Sequence, residues 1–358
     1  MSFEGDAVGR QVAAAIASSP ASDRRVLVDA YSTVVVSDRL VHSPATLFDS
    51  ALRKEVKATR AMFDSLVDAG VRVRLTNPVG SLFVHYPARN HKKLIVADEV
   101  AYIGGINFSD HNFAWHDFML RLEGEAAARV LAQDFEATFE GVRRPRREDI
   151  GDLRLYCLDG RGNHQGFDDI IALIEAAKRE ITVISPYLTF PFTDALARVA
   201  QRGVTVTLIT PLANNKPVVR RYLLTAAARA GFDVRLLPKM THLKGLLIDD
   251  ERLIVGSSNF DFVSLAAEEE LMAVIAAPAV IEDFRRRIID PALRDALPAG
   301  AHRPSRVAGW VSHAALRLAQ VVVRGARFAP RSAHDWRTRS APTAANAKRP
   351  GSSPGARS

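Results

Sequence analysis

The sequence predicts an α/β protein of two similar α-β-α lobes related by pseudo-two-fold symmetry, followed by a basic C-terminal tail. Three observations carry this. Val71-Arg-Val-Arg-Leu-Thr-Asn-Pro78 follows Ala69-Gly70 as Val204-Thr-Val-Thr-Leu-Ile-Thr-Pro211 follows Arg202-Gly203, each reading as helix, glycine stop and alternating strand. Asn90 to Asn107 parallels Thr241 to Asn259 as two apolar strands around a short acidic turn, closed by small residues. Beyond residue 301 the composition shifts to Pro, Ser, Ala and Arg.

Taken in order, Arg25-Val-Leu-Val-Asp-Ala-Tyr31 and Glu180-Ile-Thr-Val-Ile-Ser-Pro-Tyr187 open the two halves as strands. A helix then crosses to the parallel strand ending at Pro78 or Pro211, so each half is a β-α-β unit with a hairpin behind it. The run Gly141 to Asp149, with four arginines and a proline, reads as a linker. The expected division is residues 1–150, 151–300 and 301–358. At 100° per residue Val307, Trp310, Val311, Ala314, Leu318, Val321, Val322 and Phe328 share one side of a helix. Arg306, His313, Arg317, Gln320, Arg324 and Arg327 gather opposite or at its edge. Such a basic amphipathic helix either docks on the body or lies on a membrane surface. Pro330 to Ser358 has too little apolar content for a core and is expected to be disordered.

The chain has 358 residues, 47% of them hydrophobic, so a sizeable core is within reach. Its single Cys157 excludes an intrachain disulfide, and no apolar run reaches the roughly 18 residues a membrane span needs. The start lacks a secretory pattern, so the expected location is cytoplasmic, peripheral on the inner face of the cell membrane if the helix binds there. The formal charge of +8 belongs to the tail: residues 301–358 hold eleven Lys or Arg against Asp335 alone, which leaves the rest near −2. The folded body therefore carries no general signature of a polyanion binder.

On a strand, residues i and i+2 share a face, so His91 with Lys93 and His242 with Lys244 each present an imidazole beside an ammonium. A phosphodiester needs cations on its non-bridging oxygens, a nucleophile on one side and a proton donor on the other. Two His-Lys pairs supply all of these without metal or cofactor. One such pair is more often a solvated face. Here His-x-Lys-x4-Asp recurs at His91, Lys93, Asp98 and at His242, Lys244, Asp249, in matching hairpins, although only nine of the 48 basic residues are lysine.

This duplicated motif resembles the signature of the phospholipase D superfamily. The trailing Gly104-Gly105-Ile106-Asn107 and Trp115-His116-Asp117, and Gly256-Ser257-Ser258-Asn259 with Ser264 and Glu270, are most similar to bacterial cardiolipin synthases and related phosphatidyltransferases. Gly80-Ser81 is similar to a loop ahead of that family's first motif. The resemblance covers roughly residues 24 to 290, lacks the family's paired N-terminal membrane helices, and departs from it at Val263, where an Arg often precedes the serine. It implies a covalent phosphohistidine on one motif histidine, with the other as general acid and base. His91 is assigned as nucleophile and His242 as acid and base, the reverse remaining open. Lys93, Lys244, Asn107 and Asn259 would hold phosphate oxygens, with Ser109 and Ser257 or Ser258 as weaker neighbours. Asp117 and Glu270 would orient the imidazoles, Glu268 and Glu269 competing with Glu270. Asp98 and Asp249 are expected to hold the hairpins.

The expected activity is cleavage or transfer at phospholipid phosphodiesters, with an anionic phospholipid as substrate and an alcohol or water as acceptor. The alternatives are a nuclease of the same superfamily, using the basic tail, and a non-catalytic membrane adaptor. His85, His111 and His116 with Asp110 fit no common metal-ligand spacing. Tyr31, Tyr187, Phe190 and Phe192 are expected to pack in the core rather than line a site.

Overall fold

In the computed structural model residues 2–337 are described, apart from His42, Leu47, Ser81, Leu82, Gly162, Arg303, Arg327, Pro330 and Arg331. The architecture is mixed α/β. In the first half Arg25–Asp29 pairs in parallel with Arg72–Thr76 across the helix Ser50–Asp68, whose Leu52, Val56, Met62, Phe63 and Leu66 are buried. In the second, Glu180–Ile184 pairs in parallel with Thr205–Pro211 across the helix Phe192–Gln201. Leu94–Ala97, Val100–Gly104 and Met119–Glu123 form an antiparallel sheet, and Gly245–Ile248, Arg252–Gly256 and Leu271–Ile275 are linked in the same way.

The halves differ in how these pieces join. The second builds one nine-stranded sheet, in which Glu180–Ile184 bonds directly to Gly245–Ile248. The first keeps its parallel pair and its hairpin in separate three-stranded sheets. An apolar core between the halves joins Ala101, Ile103 and Leu131 of the first to Leu155, Ile184, Ile209, Leu247 and Val255 of the second. This shared core makes relative movement of the halves costly, and so fixes whatever lies at their junction.

Two expectations change. The run read as a linker is a strand from Arg146 to Ile150, on the edge of the nine-stranded sheet beside Leu153–Cys157. Its burial alternates, half-buried Arg146, Glu148 and Ile150 with exposed Arg147 and Asp149, which suits an edge with one wet face better than a tether. The stretch from Pro330 is ordered in part: Ala333–Asp335 adds antiparallel to Arg72–Thr76, and Trp336 packs on Phe63 at 5.0 Å and donates to Asp64 at 2.7 Å. One tryptophan with a satisfied indole N–H provides the apolar area that composition averaging hid. Residues 338–358 lie outside the described residues.

The C-terminal helix, for which docking is one of the two expected roles, spans Arg306–Ala326. It docks on the second half through Gly309, Ser312, Leu316, Val323 and Ala326, with Arg317 stacked over Phe190 at 3.8 Å. Gly309 is required there, because a Cβ would stand 2.2 Å from Thr225 Oγ1. The side that periodicity marks as apolar faces outward.

Candidate active site

Backbone pairing between the halves builds the site. The strand Arg89–Asn90 runs parallel to Glu268–Glu269, and the His91 N–H donates to the Glu269 carbonyl at 2.9 Å. On the other side His116 and Thr241 form a parallel bridge, and the His242 N–H donates to the His116 carbonyl at 2.8 Å. In both ladders a motif histidine bonds to the residue just before an acid of the opposite half. The acids are thereby delivered crosswise: Glu270 lies 3.2 Å from His91 Nδ1, and Asp117 lies 2.8 Å from His242 Nδ1.

Small residues make these approaches possible. A Cβ on Gly104 would fall 2.3 Å from the Phe118 carbonyl, and one on Gly256 would fall 2.2 Å from the Leu271 carbonyl. Gly105 lies under Asp117, where a Cβ would meet Oδ1 at 2.3 Å. Its counterpart in the other half is Ser257, whose hydroxyl instead donates to Glu270 Oε2. Ser264 donates to Glu270 Oε1 at 2.7 Å, so Glu270 is held by two hydroxyls and an imidazole. Asp117 has a simpler shell, with the Phe118 N–H on Oδ1 at 2.9 Å and His242 on Oδ2.

The electrostatics follow from burial. Burial and the neighbouring lysines lower His91 to about 4 and His242 to about 3, so both imidazoles are neutral in the free protein at pH 7. With a carboxylate on Nδ1, the proton sits there and Nε2 carries a free lone pair. Lys93 and Lys244 are almost wholly buried and donate to the carbonyls of His91 and His242, which curls each ammonium back beside its own imidazole. Burial lowers them to about 8 and about 7. Against burial, His91, Lys93 and Ser257 hold the Glu270 carboxyl below its ordinary range, while burial and the Glu270 charge push Glu268 up to about 8.

His91, Lys93, Asn107, His242 and Asn259 line one cavity of about 380 Å³ between the halves. Lys244, Asp117 and Glu270 stand behind that wall. Asn259 is buried and its Oδ1 meets no hydrogen-bond partner, which a hydroxyl donating from the cavity would correct. Asn107 is engaged with the Ser2 N–H at 3.0 Å. Of the weaker neighbours, Ser257 is committed to Glu270, Ser258 caps the Phe260 N–H, and Ser109 is buried against Asn112 and His111. The two motif aspartates sit at turns with left-handed backbone, φ 51° at Asp98 and 54° at Asp249. Only Asp249 is a clasp, accepting the N–H groups of Lys178, Arg179 and Glu180 at 2.8, 2.8 and 2.9 Å.

Residues 10–139 and 170–290, which between them carry both motif histidines and both orienting acids, match the family described as "Cardiolipin synthase, PLD-like domain". The chain belongs to this family. Curated relatives include "Minor cardiolipin synthase ClsB" of Bacillus subtilis, 29% identical over 63% of this chain and 61% of that protein. They also include "Cardiolipin synthase B" of Escherichia coli, 30% identical over 76% of this chain and 68% of the relative. The chain thus spans between about six and seven tenths of the relatives' length. Among solved structures, the phosphatidylserine synthase of Haemophilus influenzae superposes with a TM-score of 0.61 at 14% identity, covering 90% of this chain and 88% of that one. That likeness concerns the fold.

Other residues at the cavity escaped sequence reasoning. Tyr31 and Tyr187, expected to pack, line the cavity with Trp115, whose ring lies 5.3 Å from that of His242. The signal was available: both tyrosines follow the first strand of a half, at the carboxyl end of parallel strands, where ligands gather. Phe190 and Phe192 are core residues, as expected. Lys216, with Nζ 4.3 Å from the Tyr187 ring, and Arg89, paired with Asp29 at 2.7 Å, also face the cavity. Glu269 is no rival to Glu270. It points away and binds Arg143 at 3.1 Å and Asn77 at 2.8 Å.

His85, His111, His116 and Asp110 do not form a ligand cluster among the described residues. The group that does converge is His91, Glu268 and Glu270, with ligand atoms within 4.8 Å of one another. Ser257 and Ser264 already donate their hydroxyl protons to the two Glu270 oxygens, and the Glu268 carboxyl, pushed up to about 8 and so protonated at pH 7, donates to Ser264 Oγ at 3.0 Å. Gly80 has φ 72°, while Ser81 lies outside the described residues. No helix among the described residues is long and apolar enough to cross a membrane.

Proposed function

We propose that the chain is a phosphatidyltransferase acting on phospholipid phosphodiesters, built from two related lobes with the site at their junction. The observation that carries this is the pair of imidazoles lining one cavity, each oriented by a carboxylate from the opposite half. His91 Nε2 attacks phosphorus and the bond to the departing alcohol breaks. A protonated His242 gives its Nε2 proton to that oxygen, and the bound phosphodiester's negative charge favours the imidazolium, opposing the burial that disfavours it. The intermediate is a phosphohistidine on His91. Neutral His242 then takes a proton from the incoming hydroxyl, whose oxygen displaces His91 from phosphorus. A lipid or glycerol hydroxyl completes transfer, and water completes hydrolysis. Lys93, Lys244, Asn259 and Asn107 stabilise the phosphoryl oxygens.

Lipid chemistry is favoured over nucleic acid because the cavity's cations form no open track for a polyanion: Arg89 is paired with Asp29 at 2.7 Å, Lys93 is buried, and the half-exposed Asp38 carboxylate adds negative charge. The named activity of the cardiolipin synthase relatives points the same way. Acting on lipids places the protein at a membrane surface. The test is incubation with labelled phosphatidylglycerol, with and without glycerol, and separately with single-stranded DNA. Label in a glycerol-dependent lipid product supports transfer, and cleavage of DNA alone overturns the reading. An acid-labile, base-stable adduct that disappears in His91→Ala and persists in His242→Ala locates the nucleophile.

A further inference from the structure

The helix Arg306–Ala326 has two unlike faces, and the one inside is not the one periodicity marks as apolar. Gly309, Ser312, Leu316, Val323 and Ala326 pack inward. Outward stand Val307, Trp310, Val311, Leu318, Val321 and Val322, each exposed by half or more, with Trp310 at 66% and Leu318 at 70%. At 100° per residue these six span about 120° of arc, so they form one continuous stripe. Single exposed apolar residues are ordinary, but an aligned set of six on one helix marks a contact surface.

Charge decides what it contacts. No acidic residue occurs between Arg306 and Ala326, or in the neighbouring helix Pro217–Ala230 with its Arg220, Arg221 and Arg229. On one edge of the stripe lie Arg306 and Arg324, with Arg317 between them stacked on Phe190 and 3.8 Å from Asp194. A second copy of the chain laid against this face would bring two cationic edges together. An anionic lipid surface accepts the apolar stripe among its acyl chains and the arginines among its headgroups. Val323 on the inner side of the same helix lines the catalytic cavity. We propose that this outer stripe seats the protein on an anionic phospholipid surface, with the catalytic cavity held at the interface by the helix's inner face. The proposal deepens the phospholipid reading and rests on it for the nature of the surface.

The test uses the full chain and vesicles of phosphatidylglycerol with phosphatidylcholine, or of phosphatidylcholine alone. The variants are Trp310→Glu/Leu318→Glu/Val321→Glu, confined to exposed positions, and His91→Ala. We expect the wild type and His91→Ala to cosediment with the anionic vesicles, and the triple variant to bind roughly tenfold or more weakly. The triple variant should retain turnover of a short-chain, monomeric phosphatidyl substrate, which also shows that it folds. Equal binding by the triple variant, no preference for anionic vesicles, or a wild-type dimer that the triple substitution converts to monomer would each overturn the proposal. Failure of the wild type to turn over the soluble substrate would instead sink the phospholipid reading, whatever the vesicle result.

Discussion

Replacing Asp117 with Asn removes one charge and no volume, and the local hydrogen bonds dictate the consequence. The Phe118 N–H pins Oδ1 at 2.9 Å, so an asparagine that keeps this bond must turn its NH₂ toward His242 Nδ1. That favours the imidazole tautomer with its proton on Nε2, facing the cavity. Rotating the amide restores an acceptor at Nδ1 but sets two N–H groups against each other, at about 1–3 kcal/mol for the buried unsatisfied donor. The productive tautomer is thereby reduced roughly 10- to 100-fold, and exchanging a charged hydrogen-bond acceptor for a neutral one costs about another factor of ten. Glu270→Gln should be milder. Ser264 can accept from the new amide while donating to Glu268, so the amide oxygen can still face His91. We expect kcat on a short-chain soluble substrate to fall roughly 10²- to 10³-fold for Asp117→Asn and about tenfold for Glu270→Gln. Nitrogen-15 shifts of His242 would report the tautomer directly. An Asp117→Asn enzyme that matches or exceeds Glu270→Gln in activity would refute the reasoning.

Gly105→Ala places a methyl 2.3 Å from Asp117 Oδ1, so activity should drop toward that of Asp117→Asn while the melting temperature moves far less; unchanged kcat would show that Asp117 need not be held there. Asp249→Ala should destabilise the protein by about 2–3 kcal/mol in urea unfolding, because three amides lose their acceptor, whereas exposed Asp98→Ala should stay within about 1 kcal/mol. Lys244 and Lys93 sit at about 7 and 8 in the free protein, and a bound anion favours their ammonium forms. A non-hydrolysable phosphodiester of fixed charge should therefore bind more weakly as pH rises above about 7, and should bind more tightly below it as His242, whose imidazolium the bound anion favours, takes up a proton. Calorimetry in two buffers would detect the proton uptake at pH 8.5. For the protein without substrate, unfolded histidines take up protons near pH 6.5 while His91 and His242 resist until about 4 and 3, so stability falls as pH drops through that interval.

Sequence alone determined the chemistry at hand: strand spacing pairs each histidine with its lysine, and repetition of the whole hairpin supplies two such pairs. It also specified both β-α-β crossovers, because helix stops and period-two alternation are local signals. Only tertiary structure decided which acid serves which histidine, since Asp117 and Glu270 reach their partners through ladders joining residues more than a hundred apart in the chain. The same holds for the divergence of the small residues after each hairpin. Gly105 yields space to one carboxylate, and Ser257 donates a proton to the other, a distinction visible only once the acids are in place. Periodicity found the C-terminal helix and its apolar side but not its orientation. A helix's moment depends on its own side chains, whereas docking depends on the neighbour's shape, and here Gly309 and Arg317 meet that neighbour while Val307, Val311, Val321 and Val322 face out.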